Sequence, residues 1–343
     1  GLATVPVFGL FLAELWRKIS RDAEKKSNIL SGLVQDDSAP AIIKGLSDSK
    51  HLNIGIIGYG GRGGHLVRGA GFATTGWTDT AAKNARENKL DKQFQTFMDQ
   101  EDLNCSLVGV CDLFDVRAEQ GLDASQNEVR PGGKPKKTAT RYRHYKDLLA
   151  NDDIDAVIIA TPDHWHSRIT IDAARAGKHV YCEKGLTRTF DETIEVYDVV
   201  KETGITFQLG HQNRQVEANE KAKQIVQQGL LGKINLVELT TNRNSPWGAW
   251  VWGIHKNFLN EKKKREIKLK NGDLNRLKNG EWDLDKAIEI NKNNAKMIDW
   301  DTFQEPAPNK IPFGKEALKR FFRWRCWFDY GTGLSGDLLS HDF

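Results

Sequence analysis

From Leu52 onward, short apolar runs recur at the intervals an α/β sheet requires. Leu52–Ile57 (LNIGII), Cys105–Cys111 (CSLVGVC) and residues 156–160 (AVIIA), 179–182 (HVYC) and 205–209 (ITFQL) are rich in Ile, Val and Leu. Between them stand helical patterns such as 167–176 and 190–202, with Gly177 and Gly204 in C-cap positions. Near-continuous apolar strands alternating with helices predict a parallel sheet covered on both faces, because a strand buried on both sides has no polar face to alternate. Two polar stretches, 71–103 and 130–137, interrupt the pattern and read as surface insertions. After Gly232 the period changes: residues 233–241 alternate apolar and polar, as a half-exposed antiparallel strand would. The pattern places a domain boundary near Gly210, giving a first domain over 51–209 and a second over 210–343, with 1–50 ahead of both. A further polar insertion, 256–294, precedes a Trp-rich segment.

Composition changes this picture little. The 343 residues suffice for two domains, with 39% hydrophobic and 28% charged residues. A net charge of +4 is too small to argue for a nucleic-acid partner, and the basic stretch 261–270 (EKKKREIKLK) reads as a solvated surface helix. Cys105, Cys111, Cys182 and Cys326 form no CxxC pair; the first three lie in apolar runs, where a small buried hydrophobe is expected. Trp247, Trp250, Trp252, Trp324 and Trp327 cluster late in the chain, which suits a carbohydrate-stacking surface or a large core. Residues 1–16 are apolar but too short for a convincing membrane span. Two readings of them stand: the hydrophobic part of an export signal lacking its basic start, or an amphipathic N-terminal helix. Residues 17–50 read as a polar linker.

The chemistry gathers at the predicted carboxyl ends of the strands. Gly58-Tyr59-Gly60-Gly61-Arg62-Gly63 follows an apolar strand and opens a helical stretch. GxGxxG alone is weak, but this context makes it a dinucleotide fingerprint, since the glycines let the backbone approach a pyrophosphate at a helix N-terminus. Asp112 closes the second run, where a carboxylate would bind ribose hydroxyls and favour NAD over NADP. It lies further on than the usual spacing of about 20 residues, which the 71–103 insertion would explain; a helix N-cap is the compatible plainer role. Thr161-Pro162-Asp163-His164-Trp165-His166 turns at the end of another strand and so should face a cofactor. His164 and His166 suggest a metal, and a metal hydrolase is the reading they would support, but no third ligand stands at a recognisable spacing and no metal site is assigned. Glu183-Lys184 ends the next strand. A lysine held in a low-dielectric cleft can exchange a proton with a substrate hydroxyl while the glutamate orients it; the alternative is an exposed ion pair. Asp337 and His341 are four apart, so on a helix the carboxylate can bond the imidazole to make a general base, or the two form a surface pair.

Together these residues resemble the Gfo/Idh/MocA oxidoreductase family, from about Leu52 to the C-terminus. The resemblance implies a Rossmann domain followed by an α/β domain with an open, mostly antiparallel sheet that carries the substrate site. It places the cofactor loop on Gly58, Tyr59, Gly60, Gly61, Arg62 and Gly63, and the ribose ligand on Asp112. Further cofactor contacts fall on Thr161, Pro162, Asp163, His166, Glu183 and Lys184. The catalytic group becomes Lys184, Asp337 and His341, with Arg214, Arg325, Trp327 and Asp329 as substrate contacts. Two departures are visible: Gly185 stands where the family has proline, and the chain stops at Phe343, where the family continues. The second reads as a piece of a longer protein whose substrate domain is incomplete. The TPDHWH and WRCWFDYGTG segments and the apolar leader are similar to a bacterial, carbohydrate-associated subgroup. The implied function is NAD-dependent hydride transfer at a sugar or polyol carbinol, in a homo-oligomer that pairs through the second domain. An NAD-dependent glycosidase using transient oxidation and a non-catalytic nucleotide-binding regulator are the alternatives. Export to the periplasm follows if the leader is a signal, and a cytoplasmic location otherwise.

Overall fold

The computed structural model describes residues 51–126, 138–212, 216–238 and 297–337, with the isolated positions 20, 266–267, 277–278 and 288. The leader 1–16, the loop 130–137, Arg214, His341, Trp247, Trp250 and Trp252 lie outside the described residues. The described residues within 45–211 and 241–343 belong to one compact unit, and those within 212–240 to another.

The first unit is built on a six-stranded sheet. Its strands are β1 (Leu52–Ile57), β2 (Cys105–Cys111), β3 (Thr140–Tyr142), β4 (Ala156–Ile159), β5 (His179–Glu183) and β6 (Phe207–Gly210), all parallel, in the order β3-β2-β1-β4-β5-β6. Every residue of β2 is buried, as its unbroken apolar run requires. Ile56, Leu107 and Ile159 are fully enclosed, and each such side chain stabilises the fold by roughly 1.5–3 kcal/mol. The strand order reverses between β1 and β4, so their carboxyl ends open a crevice there.

Helices α1 (Gly61–Gly69), α2 (Thr75–Glu87), α3 (Gln93–Met98), α4 (Asp115–Ser125), α5 (Tyr145–Leu149), α6 (His166–Arg175) and α7 (Phe190–Thr203) connect the strands. The expected helices at 167–176 and 190–202 are α6 and α7, and Gly177 and Gly204 follow them with positive φ. The insertion 71–103 is more than surface loop. It folds into α2 and α3, buries Phe72, Ala81 and Phe97, and ties Thr75 to Asp123 on α4 through two 2.9 Å hydrogen bonds.

The segment after Met297 docks beside the end of β2. Asp115 N donates to Met297 O at 3.0 Å and Asp299 N to Leu113 O at 2.9 Å. Phe114 and Val116 complete a core with Trp300, Phe303, Leu318, Phe321 and Tyr330.

Two expectations for the second half do not hold. The alternating run 233–238 forms no strand; Ile234, Leu236 and Val237 are exposed, and no strand among the described residues covers them. It follows α8 (Glu217–Gln227), which lies in the other unit. Within the basic stretch, Glu266–Ile267 is strand, not helix: β7 (Glu266–Ile267) pairs antiparallel with β8 (Leu277–Lys278), opposing Glu266 to Lys278 and Ile267 to Leu277. No helix of the described residues is long and apolar enough to cross a membrane.

Candidate active site

One cleft collects most of the expected site. It is lined by Gly58, Gly60, Gly61 and Arg62 from the β1–α1 turn, and by Asp112 and Leu113 from the end of β2. Thr161, Pro162, Asp163 and His166 come from the turn after β4, and Glu183 and Lys184 from the end of β5. The segment after Met297 adds Phe303, Phe321, Phe322, Trp324 and Arg325.

The glycine turn is shaped for a close-approaching anion. α1 opens at Gly61, and the first-turn N–H groups of a helix have no partner within it. Gly63 lets α1 pack onto the turn: a Cβ there would lie 2.1 Å from Gly58 O. Gly63→Ala should therefore displace α1 and weaken NAD binding roughly tenfold or more, the scale of one lost charge-assisted contact. Calorimetric titration of the variant checks it. Tyr59 turns its ring into the core.

Asp112 holds this turn in place. Its carboxylate accepts from Tyr59 N at 2.7 Å and from Phe114 N at 2.8 Å. Burial pushes its carboxyl up, against the opposing pull of Arg117 and those two N–H groups. The carboxylate thus joins the ends of β1 and β2 as well as facing the cleft.

The turn after β4 is pinned from both sides. Asp163, buried, accepts from Thr332 N at 2.9 Å and Thr332 Oγ1 at 2.7 Å. Burial raises its carboxyl, partly offset by His166 and the Thr332 bonds. His164 Nε2 and Trp165 Nε1 meet Phe303 O at 2.7 and 2.9 Å. Burial lowers the His164 imidazole to about 3, so the ring is neutral, with Nε2 donating. His166 places Nε2 2.8 Å from Thr161 O and Nδ1 3.0 Å from Gly185 O. Carbonyl oxygens only accept, so both contacts are hydrogen bonds only while the ring carries both protons. His164 thus gives Nε2 to backbone while its buried Nδ1 has no hydrogen-bond partner, and among the described residues no group of three or more His, Cys, Asp or Glu could hold a metal ion.

At the end of β5, Glu183 and Lys184 face different partners. Glu183, buried, accepts from Arg62 Nε at 2.7 Å, so the glycine turn and β5 are joined by an ion pair. Lys184 Nζ donates to the Asp337 carboxylate and to the Asp337 carbonyl oxygen. Arg325 Nε donates to the other carboxylate oxygen at 3.1 Å. Burial would raise the Asp337 carboxyl, but Arg325 and Lys184 outweigh it and hold it below the usual carboxylate range. Asp337 ends α9 (Gly333–Asp337), so the carboxylate expected to orient His341 is engaged by Lys184 and Arg325.

Trp327 and Asp329 stand apart from the lining. Trp327 packs on the aromatic core under Arg320. Asp329 accepts from Asn309 Nδ2 at 2.8 Å and Arg320 Nη1 at 3.4 Å. Sequence reasoning missed Arg117, His144 and Tyr145, which line the cleft beside Asp112. Only Arg117 left a signal: five residues beyond the acidic strand end, it must fall in the first turn of the following helix.

Two features fit a bound dinucleotide besides the glycine turn. Thr161 Oγ1 is buried on the cleft with no hydrogen-bond partner, and α1 presents its N-terminus to the same space.

Residues 52–211 match the model of an oxidoreductase family with an NAD-binding Rossmann fold. An uncharacterized oxidoreductase of Bacillus subtilis is 37% identical over 102 residues, covering 30% of each chain. A levoglucosan dehydrogenase of Pseudarthrobacter phenanthrenivorans is 40% identical over 90 residues, 26% of this chain and 23% of that one. Among solved structures, a myo-inositol 2-dehydrogenase from Lactobacillus plantarum is 28% identical with a TM-score of 0.40, covering 54% of this chain and 43% of the other. The chain thus aligns with less than half the length of each of these relatives. Over residues 52–211 the chain is thus similar to the NAD-binding Rossmann domain of the Gfo/Idh/MocA oxidoreductases.

Proposed function

We propose that this protein moves a hydride between a carbinol carbon of a sugar or polyol and the nicotinamide of NAD. The observation that carries the reading is the position of Lys184: its ammonium reaches Asp337 in the same cleft as the glycine turn and the N-terminus of α1. When bound, the nicotinamide supplies the hydride acceptor. Lys184 holds the substrate hydroxyl and exchanges its proton, giving it to the oxygen in the reducing direction and taking it, as the neutral amine, in the oxidising one. Asp337 fixes Nζ, and Arg325 shares its carboxylate, so that the carboxylate stays charged while Lys184 changes state. His341 would join this group as a second proton carrier. The levoglucosan dehydrogenase among the relatives supports the substrate class.

Full-length protein incubated with NAD and a panel of sugars and polyols should form NADH with at least one of them. If none does, and aryl glycosides release their aglycone without net NADH, transient oxidation in a glycosidase replaces this reading.

A further inference from the structure

Asp337 serves two cations at once. Lys184 Nζ holds one oxygen of its carboxylate and Arg325 Nε the other, the latter at 3.1 Å. The neighbouring acids are engaged elsewhere: Glu183 pairs with Arg62, and Asp163 is bonded by Thr332 and offset by His166. The cluster of Lys184, Arg325 and Asp337 therefore carries a surplus of one positive charge, beside the hydroxyl that Lys184 would handle. Arg325 spends only Nε on Asp337; its two Nη groups make no hydrogen bond among the described residues. The guanidinium lies 4.1 Å over the Trp324 ring, and that indole packs in turn on the aromatic core. Stacking holds the guanidinium in place and leaves its Nη edge for a ligand. Trp324 and Arg325 both line the cleft, and the Arg325 side chain is 43% exposed.

A guanidinium edge with two N–H donors matches a carboxylate, which it can hold by two parallel bonds. Resting on the reading of Lys184 as the group that handles the substrate hydroxyl, we propose that the substrate is a sugar acid and that Arg325 selects it. The Nη groups of Arg325 receive the carboxylate of the substrate, while Lys184 holds the carbinol that reacts. One carboxylate brings the single negative charge that the cluster lacks. A phosphate, at about −1.5 to −2 near neutral pH, would overshoot that surplus and repel Asp337. A neutral sugar would leave the surplus in place.

Calorimetric titration into the NAD-saturated full-length protein tests this. The probes are D-glucuronate, D-galacturonate and D-gluconate, their neutral counterparts D-glucose, D-galactose and D-glucitol, and glucose-6-phosphate. At least one acid should bind roughly tenfold or more tighter than its neutral counterpart, the scale of one charge-assisted contact. Arg325→Gln should remove most of that difference, and Arg325→Lys, which keeps the charge without the planar fork, should keep part of it. The ratio of acid to neutral sugar is the readout, because losing Arg325 also disturbs Asp337 and should slow every substrate. Acids that bind no tighter than neutral sugars would overturn the proposal, as would a preference that survives Arg325→Gln or a stronger preference for the phosphate. Should Arg325→Gln fail to fold in a thermal melt, Arg325→Lys decides, by a reduced ratio or an unchanged one. NADH formation is followed alongside. An acid that binds through Arg325 yet forms no NADH would uphold the selection of the carboxylate and overturn the reading of hydride transfer instead.

Discussion

Lys184→Met is expected to lower kcat by roughly 10²–10⁴-fold, the usual scale for a lost acid/base group. Methionine keeps the length and apolar stem of the lysine, so what disappears is the ammonium that bridges the cleft and Asp337. The Asp337 carboxylate is left with Arg325 as its cation, which should spare the fold. NAD affinity should change little, because the glycine turn, Asp112 and the N-terminus of α1 act on the far end of the cofactor. His341→Ala should have an effect of similar size. The two should not add, since groups that handle one proton fail as a unit. Steady-state kinetics on the two single variants and the double variant, with NAD binding measured alongside, separates these expectations. Near-normal turnover by Lys184→Met would reduce Lys184–Asp337 to a structural ion pair between β5 and α9.

How much of this was legible in the sequence depends on how local the cause is. The boundaries of β1 and β2 could be read to the residue, because β2 is buried throughout and β1 over its last four residues, and each run stops where a glycine turn or a carboxylate begins. The glycine turn was equally plain, since Gly58 to Gly63 act through their own backbone. Partnerships between distant segments were not legible. Nothing near Glu183 in the chain indicates that it faces Arg62 on α1, 121 residues earlier. Asp337 was read by its helical spacing to His341, whereas the described geometry joins it to Lys184 and Arg325. A spacing rule sees neighbours on one helix and cannot see a lysine arriving from another element. The 71–103 insertion misled for a related reason: its overall polarity hid the few apolar side chains, Phe72, Ala81 and Phe97, that dock it. The alternating run at 233–238 shows the opposite failure, a strand pattern that pairs with no strand among the described residues.

Gly185 is the position where the departure from the family pattern acquires a structural cause. Its φ is +78°, in the region that glycine enters freely and proline cannot, since the pyrrolidine ring fixes φ near −65°. A Cβ on Gly185 would also stand 2.8 Å from both Cγ and Oδ1 of Asp163. That carboxylate cannot simply retreat, because Thr332 N and Oγ1 both bond it. The Gly185 carbonyl is in turn held by His166 Nδ1 at 3.0 Å, so a rerouted turn breaks that contact as well. Gly185→Pro should therefore pull the end of β5 out of line, move Lys184 off Asp337, and lower both thermal stability and turnover. Gly185→Ala can still enter positive φ, at about 1–2 kcal/mol, but meets the same carboxylate. Both variants should lose activity in the order wild type, alanine, proline, with the melting temperature falling in parallel. Replacing Asp163 by a smaller side chain would not rescue proline, because the φ conflict persists, but it should recover part of the alanine loss by removing the clash. A Gly185→Pro protein as stable and active as wild type would show that β5 ends in the family's proline-compatible turn, with Asp163 placed elsewhere.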